Sequence, residues 1–236
     1  MNLVLLEEGD FVQSKSRVEL QGRRHRHLLE VQRVEIGSTV RMGLLNGPLG
    51  EGRVVAMESG SIELEVELSE EPPPVLPITL VLALPRPPVL RRVLITAASM
   101  GVKDIVLMGA QAVEKSYWQS HALKPEAIHD QLVLGLEQGV DTRLPRVRTQ
   151  PRFRLFVEDE LPGIVGQGRL YLAHPGPRPA FPDPGLKEAV LVVGPEAGWN
   201  EFELGRWEEA GATRLSLGAR PLRVEAAVPA LLARML

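Results

Sequence analysis

The chain contains no cysteine, and that one absence excludes a disulfide framework, a thiolate metal site and a cysteine nucleophile together. A reducing, cytoplasmic setting is the simpler expectation. Aromatic residues are scarce at 4%, and Trp118, Trp199 and Trp207 are scattered, so a platform that stacks successive bases is not indicated; core or interface roles are expected for them. No apolar run approaches the roughly 20 residues that cross a bilayer, and the amino end, MNLVLLEEGD, lacks a basic flank before its short apolar stretch. Neither secretion nor membrane insertion is expected. Common catalytic signatures are missing as well. There is no G-x-x-x-x-G-K-[ST], and Gly166-Gln167-Gly168 leads into a predicted strand, not a helix. His25, His27, His121, His129 and His174 form no H-E-x-x-H pair, so no metal is expected, and no serine lies in a G-x-S-x-G elbow.

What is present reads as a globular chain with a real core: 44% hydrophobic and 24% charged residues over 236 positions. The net charge of -3 says little about partners, because placement decides what a surface attracts. The clearest seam is Glu70-Glu71-Pro72-Pro73-Pro74, where a proline run can continue neither helix nor central strand, and it predicts domains over 1–71 and 75–236. Before it, short apolar alternations (Asn2 to Leu6, Arg17 to Leu20, Thr39 to Leu45, Gly52 to Met57, Ile62 to Leu68) predict a small β-barrel. Arg23 to Arg33 reads as helical, with His27, Leu28, Val31 and Val34 spaced as one buried stripe.

After the seam, strand and helix alternate, which predicts a parallel sheet flanked by helices. Strands are predicted at Ile78 to Leu84, Asp104 to Met108, Arg146 to Thr149, Gly168 to His174, Ala189 to Val193 and Arg214 to Leu217. Helices are predicted at Val89 to Met100, from Pro125 to about Gly139, from an Asn200 cap to Gly211, and at the carboxyl end. Gly176 to Gly185 is too proline-rich for regular structure.

Two strand-ending loops stand out. Ala189 to Val193 runs into Gly194-Pro195-Glu196-Ala197-Gly198, and Leu215-Ser216-Leu217-Gly218 runs into Ala219-Arg220-Pro221-Leu222-Arg223-Val224-Glu225. Small residues let a ligand approach the backbone, and open α/β sheets bind ligands beyond the carboxyl ends of their strands.

These two segments, GPEAG and LSLGARPLRVEAA, resemble the paired GPEGG and LSLG-x-x-x-LR-x-ET-A signatures of the ribosomal RNA small subunit methyltransferase E family, within the SPOUT methyltransferases. His27 to Arg33 is similar to the family's H-x-x-x-V-x-R element, Met100-Gly101-Val102 to its LGV, and Glu137-Gln138 to Pro145 to its EQ-to-P segment. The likeness covers nearly the whole chain. It implies an α/β chain: an amino-terminal PUA-like β-barrel that holds RNA, then a SPOUT domain with a deep trefoil knot and a parallel sheet. It further implies S-adenosyl-L-methionine as cofactor, a homodimer, and methylation of N3 of a uridine in small-subunit ribosomal RNA, free or in the assembled subunit.

On that likeness the cofactor would lie against Gly194, Pro195, Glu196, Gly198, Leu217, Gly218 and Leu222, with Leu172 and His174 at the pocket edge. Arg223 matches the family arginine that would stabilise charge developing on the uracil carbonyls, and Glu225 the glutamate that would orient Arg223 or relay the proton. Basic residues Arg23, Arg24, Arg26, His27 and Arg33, with Arg86, are candidate RNA contacts. A second stretch, Arg143, Arg146, Arg148, Arg152 and Arg154, contains no acid and could extend the track.

The chain also departs from the family pattern. Ala197 replaces a glycine of GPEGG, Val224 and Ala226 replace threonines, and PRPPV around Arg86 to Val89 replaces a glycine- and lysine-bearing loop. Thr96 stands where a helix lysine is common, Ser99 replaces a glutamate, Asp141 falls near an expected arginine, and Pro229 should kink or delay the last helix. A non-catalytic RNA-binding relative, and a methyltransferase with another RNA target, are the alternatives.

Overall fold

The computed structural model describes residues 2–12, 14, 16–176, 180 and 188–235. The chain forms two compact units, residues 1–74 with 136–144, and residues 75–135 with 145–236.

In the first unit, β1 (Val4–Leu6), β2 (Arg17–Gln21), β3 (Thr39–Leu44), β4 (Leu49–Met57) and β5 (Ser61–Glu70) form a curled mixed sheet in the order β1-β3-β4-β5-β2. The barrel read from the alternations takes this half-barrel form. Only the β1–β3 pair is parallel. Alternate residues such as Val18, Leu20, Ile62, Leu64 and Val66 fill one core, as a sheet with one wet face requires. Gly50 sits at a register shift between β4 and β5, where a Cβ would come within 1.9 Å of the Glu67 carbonyl oxygen.

The helix after β2 departs from the spacing argument. It is helical over α1 (Gly22–His27) and then widens into a π turn over Leu28–Gln32, closed by Arg33 at φ 53°. The wider turn rotates the predicted stripe: Leu28 is buried, but Val31 is 66% exposed, and His25 takes an inward position instead.

In the second unit, β6 (Leu76–Ala83), β7 (Val102–Met108), β8 (Arg146–Gln150), β9 (Arg169–Ala173), β10 (Ala189–Val193) and β11 (Thr213–Leu215) make a wholly parallel sheet in the order β11-β9-β10-β6-β7-β8. All five residues of β10 are buried, as a strand covered on both faces demands. Helix α2 (Pro87–Ser99) carries proline in its first turn and buries Val89, Leu90, Val93, Leu94, Ala97 and Ala98, a 3.6-residue stripe that leaves Arg91 and Arg92 outside. Helix α3 (Pro125–Gly139) follows, its last residues, 136–139, belonging to the first unit. Short helices α4 (Phe153–Leu155) and α5 (Leu161–Val165) flank a π turn. Helix α6 (Glu201–Glu209) precedes β11, and α7 (Val224–Met235) ends the chain. Helix α7 runs from Val224 through Pro229, which leaves the Glu225 carbonyl without its usual amide donor one turn on.

Trp207, fully buried, anchors the core behind β9 and β10, with Trp199 at 5.5 Å and Phe153 at 5.6 Å between ring centres. Residues 177–179 and 181–187, most of the proline-rich Gly176 to Gly185 stretch, lie outside the described residues. No described helix is long and apolar enough to cross a membrane.

Candidate functional site

At the carboxyl ends of β9, β10 and β11, three segments enclose a cavity of about 600 Å3. β10 delivers Gly194 to Trp199; β11 delivers Leu215 to Val224; β9 delivers Ala173 to Pro175. This is where an open parallel sheet leaves room for a ligand.

The first loop is held by its own geometry and by the helix behind it. Gly198, at φ +82°, donates its amide to the Pro195 carbonyl at 2.8 Å. Asn200 caps α6 by accepting the Glu203 amide at 2.8 Å, while the Glu203 carboxylate accepts the Asn200 amide at 3.1 Å. The other oxygen of this buried carboxylate accepts the Gln111 amide at 2.7 Å, tying the loop after β7 to the same point. Gly194 has no space for a side chain: a Cβ there would stand 2.7 Å from the Trp199 Nε1. The indole therefore lies against the glycine backbone and forms part of the cavity wall, with its N–H buried and unpartnered.

The second loop folds back similarly. His174 donates its amide to the Leu215 carbonyl, and Ser216 pairs with Ala180. The Ser216 hydroxyl accepts the Gly218 amide at 3.0 Å, with Gly218 at φ +105°. The Arg223 carbonyl then accepts the amides of Ala226 and Ala227 as α7 begins.

Of the residues singled out from the sequence, His174, Gly194, Pro195, Glu196, Gly198, Leu217, Gly218, Leu222 and Arg223 all line this cavity. The His174 ring is turned back, with its Nδ1 2.8 Å from the Pro175 carbonyl oxygen. Leu172 does not line it. Successive strand residues face opposite sides, so Leu172 enters the core that holds Trp207, and Ala173 supplies the wall.

Glu225 stands beside the lining without belonging to it. Its Oε1 accepts from the Nη2 of Arg92, on α2, at 3.2 Å, so its direct partner is Arg92 and not Arg223. Its own backbone amide, more than any other group, holds the carboxyl below the ordinary range; burial opposes this, and the charges of Arg92, Arg223 and Arg86 reinforce it. Arg86, the cap residue of α2, donates its backbone amide to Glu196 Oε1 at 3.2 Å. Arg92 escaped the sequence reading because its acid lies 133 residues away. The sequence predicts a core or interface role for Trp199; its place directly after GPEAG is the signal for a position on the cavity wall.

The basic burst of the first unit divides. Arg24 forms a two-pronged pair with Asp10 at 2.5 and 2.6 Å, and Arg23 a similar one with Glu137 at 2.9 and 3.0 Å. Both pairs tie α1 to acids of the same unit. Arg26 and Arg33 are exposed with no ion pair among the described residues, and His27 is half-buried. In the second basic stretch three of the five arginines meet acids distant in sequence or one turn on: Arg146 meets Asp104 at 2.7 Å, Arg154 meets Glu158 at 3.3 Å and Arg143 meets Glu71 at 3.7 Å, while Arg148 and Arg152 have no ion pair among the described residues. Among the described residues, no group of three acids and histidines is placed to hold a metal.

Residues 71–236 match the family described as an RNA methyltransferase domain. A ribosomal RNA small subunit methyltransferase E of Treponema pallidum is 30% identical over 96% of this chain and 87% of its own length. A ribosomal RNA small subunit methyltransferase E 1 of Borreliella burgdorferi is 22% identical, over 96% and 94%. The crystal structure of a ribosomal RNA small subunit methyltransferase E from Neisseria gonorrhoeae, bound to S-adenosyl methionine, shares the fold with a TM-score of 0.74 at 21% identity, over 99% of this chain and 95% of that one.

Proposed function

Because the chain belongs to the ribosomal RNA small subunit methyltransferase E family of RNA methyltransferases, we propose that it methylates N3 of a uridine in small-subunit ribosomal RNA with S-adenosylmethionine, in the cytoplasm and as a homodimer. The observation that carries this reading is the cavity itself: two glycine-bearing loops close on a largely apolar slot, with an exposed arginine, Arg223, on its wall.

The residues present fit the cofactor. Gly194 keeps the wall flat where a methyl group would strike Trp199, and Leu215, Leu217 and Leu222 offer apolar surface for a nucleoside. When bound, S-adenosylmethionine supplies an electrophilic methyl group on its sulfonium sulfur. The backbone of Gly194 to Gly198 would hold the adenosine, with His174 at the cavity edge.

The remaining work concerns the uracil. Its N3 proton must pass to solvent water before the nitrogen can attack, and the resulting charge spreads over the two flanking carbonyl oxygens. Arg223 supplies fixed positive charge to those oxygens. Glu225, held ionised by its amide and neighbouring guanidinia, is a poor proton acceptor, so it acts as a positioning residue for the guanidinia around it. Leu222, 49% exposed at the cavity, offers apolar surface that a second subunit would cover.

The test is nucleoside mass spectrometry of small-subunit ribosomal RNA from a strain lacking the gene. N3-methyluridine should vanish and return with the wild-type gene. Its persistence without the gene overturns the reading, and loss of a different methylated nucleoside assigns another RNA target. Calorimetry with S-adenosylmethionine separates an enzyme from a relative with an idle cavity.

A further inference from the structure

The cavity rim carries more positive charge than its acids answer. Arg220 and Arg223 line the cavity, Arg86 caps α2 beside Glu196, and Arg92 reaches Glu225 from the exposed face of α2. Among the described residues only two carboxylates, Glu196 and Glu225, are bonded to this group, and Glu196 accepts a backbone amide there, not a guanidinium. Arg92 is thus the one of the four arginines with a direct carboxylate partner among the described residues.

That pairing does not exhaust Arg92. A guanidinium has five N–H donors in a fixed fork, and Glu225 takes one of them at 3.2 Å. The Arg92 side chain is 55% exposed, whereas that of Glu225 is 19% exposed, so the acid serves as a half-buried anchor and the fork faces solvent. Helix α2 packs its apolar stripe inward and lies against α7, so the anchor joins two rigid elements and fixes where the fork points.

A base that reacts inside the cavity must leave its own sugar-phosphate backbone outside, at the rim. We propose that Arg92, aimed by Glu225, binds a non-bridging phosphate oxygen of the RNA next to the target nucleotide, and so fixes the strand while the base enters the cavity. This rests on the RNA methyltransferase reading above. Phosphate matches the fork: guanidinium and phosphate meet through two parallel hydrogen bonds, and each such contact releases counterions.

The experiment measures binding of an unmodified small-subunit ribosomal RNA transcript across a potassium chloride series, together with steady-state methyl transfer. Arg92→Ala should weaken binding about tenfold and lower the slope of log K against log salt by about 0.7 to 1, the value of one lost phosphate contact. The KM for RNA should rise in step with little change in kcat. Arg92→Lys should restore the salt slope but only part of the affinity, because a point charge replaces the fork. Arg91→Ala, which removes the same charge one position along the helix, should do far less. Wild-type salt slope and affinity in Arg92→Ala, or an equal loss in Arg91→Ala, overturns the assignment while the enzyme still methylates. A wild-type protein that neither binds the transcript nor transfers methyl overturns the underlying reading along with it.

Discussion

Two groups of arginines look alike in the sequence and differ in the fold. In the first unit, Arg23 and Arg24 each own a carboxylate, gripped through two nitrogens, and those acids are nearly buried: side-chain exposure is 2% for Glu137 and 12% for Asp10. At the cavity of the second unit, Glu225 bonds Arg92 while Arg223 and Arg86 also feel its charge. The first arrangement neutralises itself and fastens α1 within its unit. The second leaves unspent positive charge beside a cavity. Local surplus, not the count of basic residues, separates a clasp from a contact.

The contrast would break most visibly at Arg223. Arg223→Ala should lower kcat for methyl transfer about 100- to 1,000-fold, the effect of removing one donor from a developing anion, with the unfolding midpoint unmoved. An unfolded variant, or a normal rate, would place Arg223 among the clasps. Arg23→Ala should do the opposite. It leaves the buried Glu137 without its guanidinium and should cost about 3 kcal/mol in urea unfolding, while S-adenosylmethionine affinity of the folded protein stays unchanged. Full stability would mean that Glu137 finds another partner.

Oligomeric state sharpens the comparison further. Sedimentation of the wild type at micromolar concentration should give the mass of two chains, and Leu222→Lys should shift the balance toward one; a wild-type monomer would count against a partner at the cavity. The smallest effect is acid titration of Glu225. A carboxyl lowered in the folded chain contributes stability above its unfolded value, near 4.5, and loses that contribution as pH falls through the lower folded value. Carboxyl resonances followed by NMR should place Glu225 below 4.5, and Arg92→Ala should move it partway back, because its own amide contributes most. An unshifted wild-type carboxyl would remove the shared-charge picture.

Much of this architecture was legible because it depends on neighbours in the chain. The continuous apolar run of β10, the Asn200 and Glu203 cap of α6, and the glycines that end both loops are all local features, and the cavity grew from them. Three features escaped because their causes are not local. The π turn after His27 changes the helical repeat without a composition signal, which turned Val31 outward. Leu172 was misplaced because the end of a strand fixes which face looks at the cavity, and a shift of one residue exchanges wall for core. The arginine track from Arg143 reads as bare charge, yet acids for three of its five arginines come from β7, from the turn after α4, and from Glu71 just before the proline run.

The seat of Trp199 against Gly194 has a practical consequence. An indole in the wall of a cavity is a fluorophore whose emission responds to what fills that space, so ligand titrations need no attached dye. Trp207, sealed in the core 5.5 Å away, supplies a steady background and an energy-transfer neighbour, and Trp199→Phe identifies which part of the signal reports occupancy.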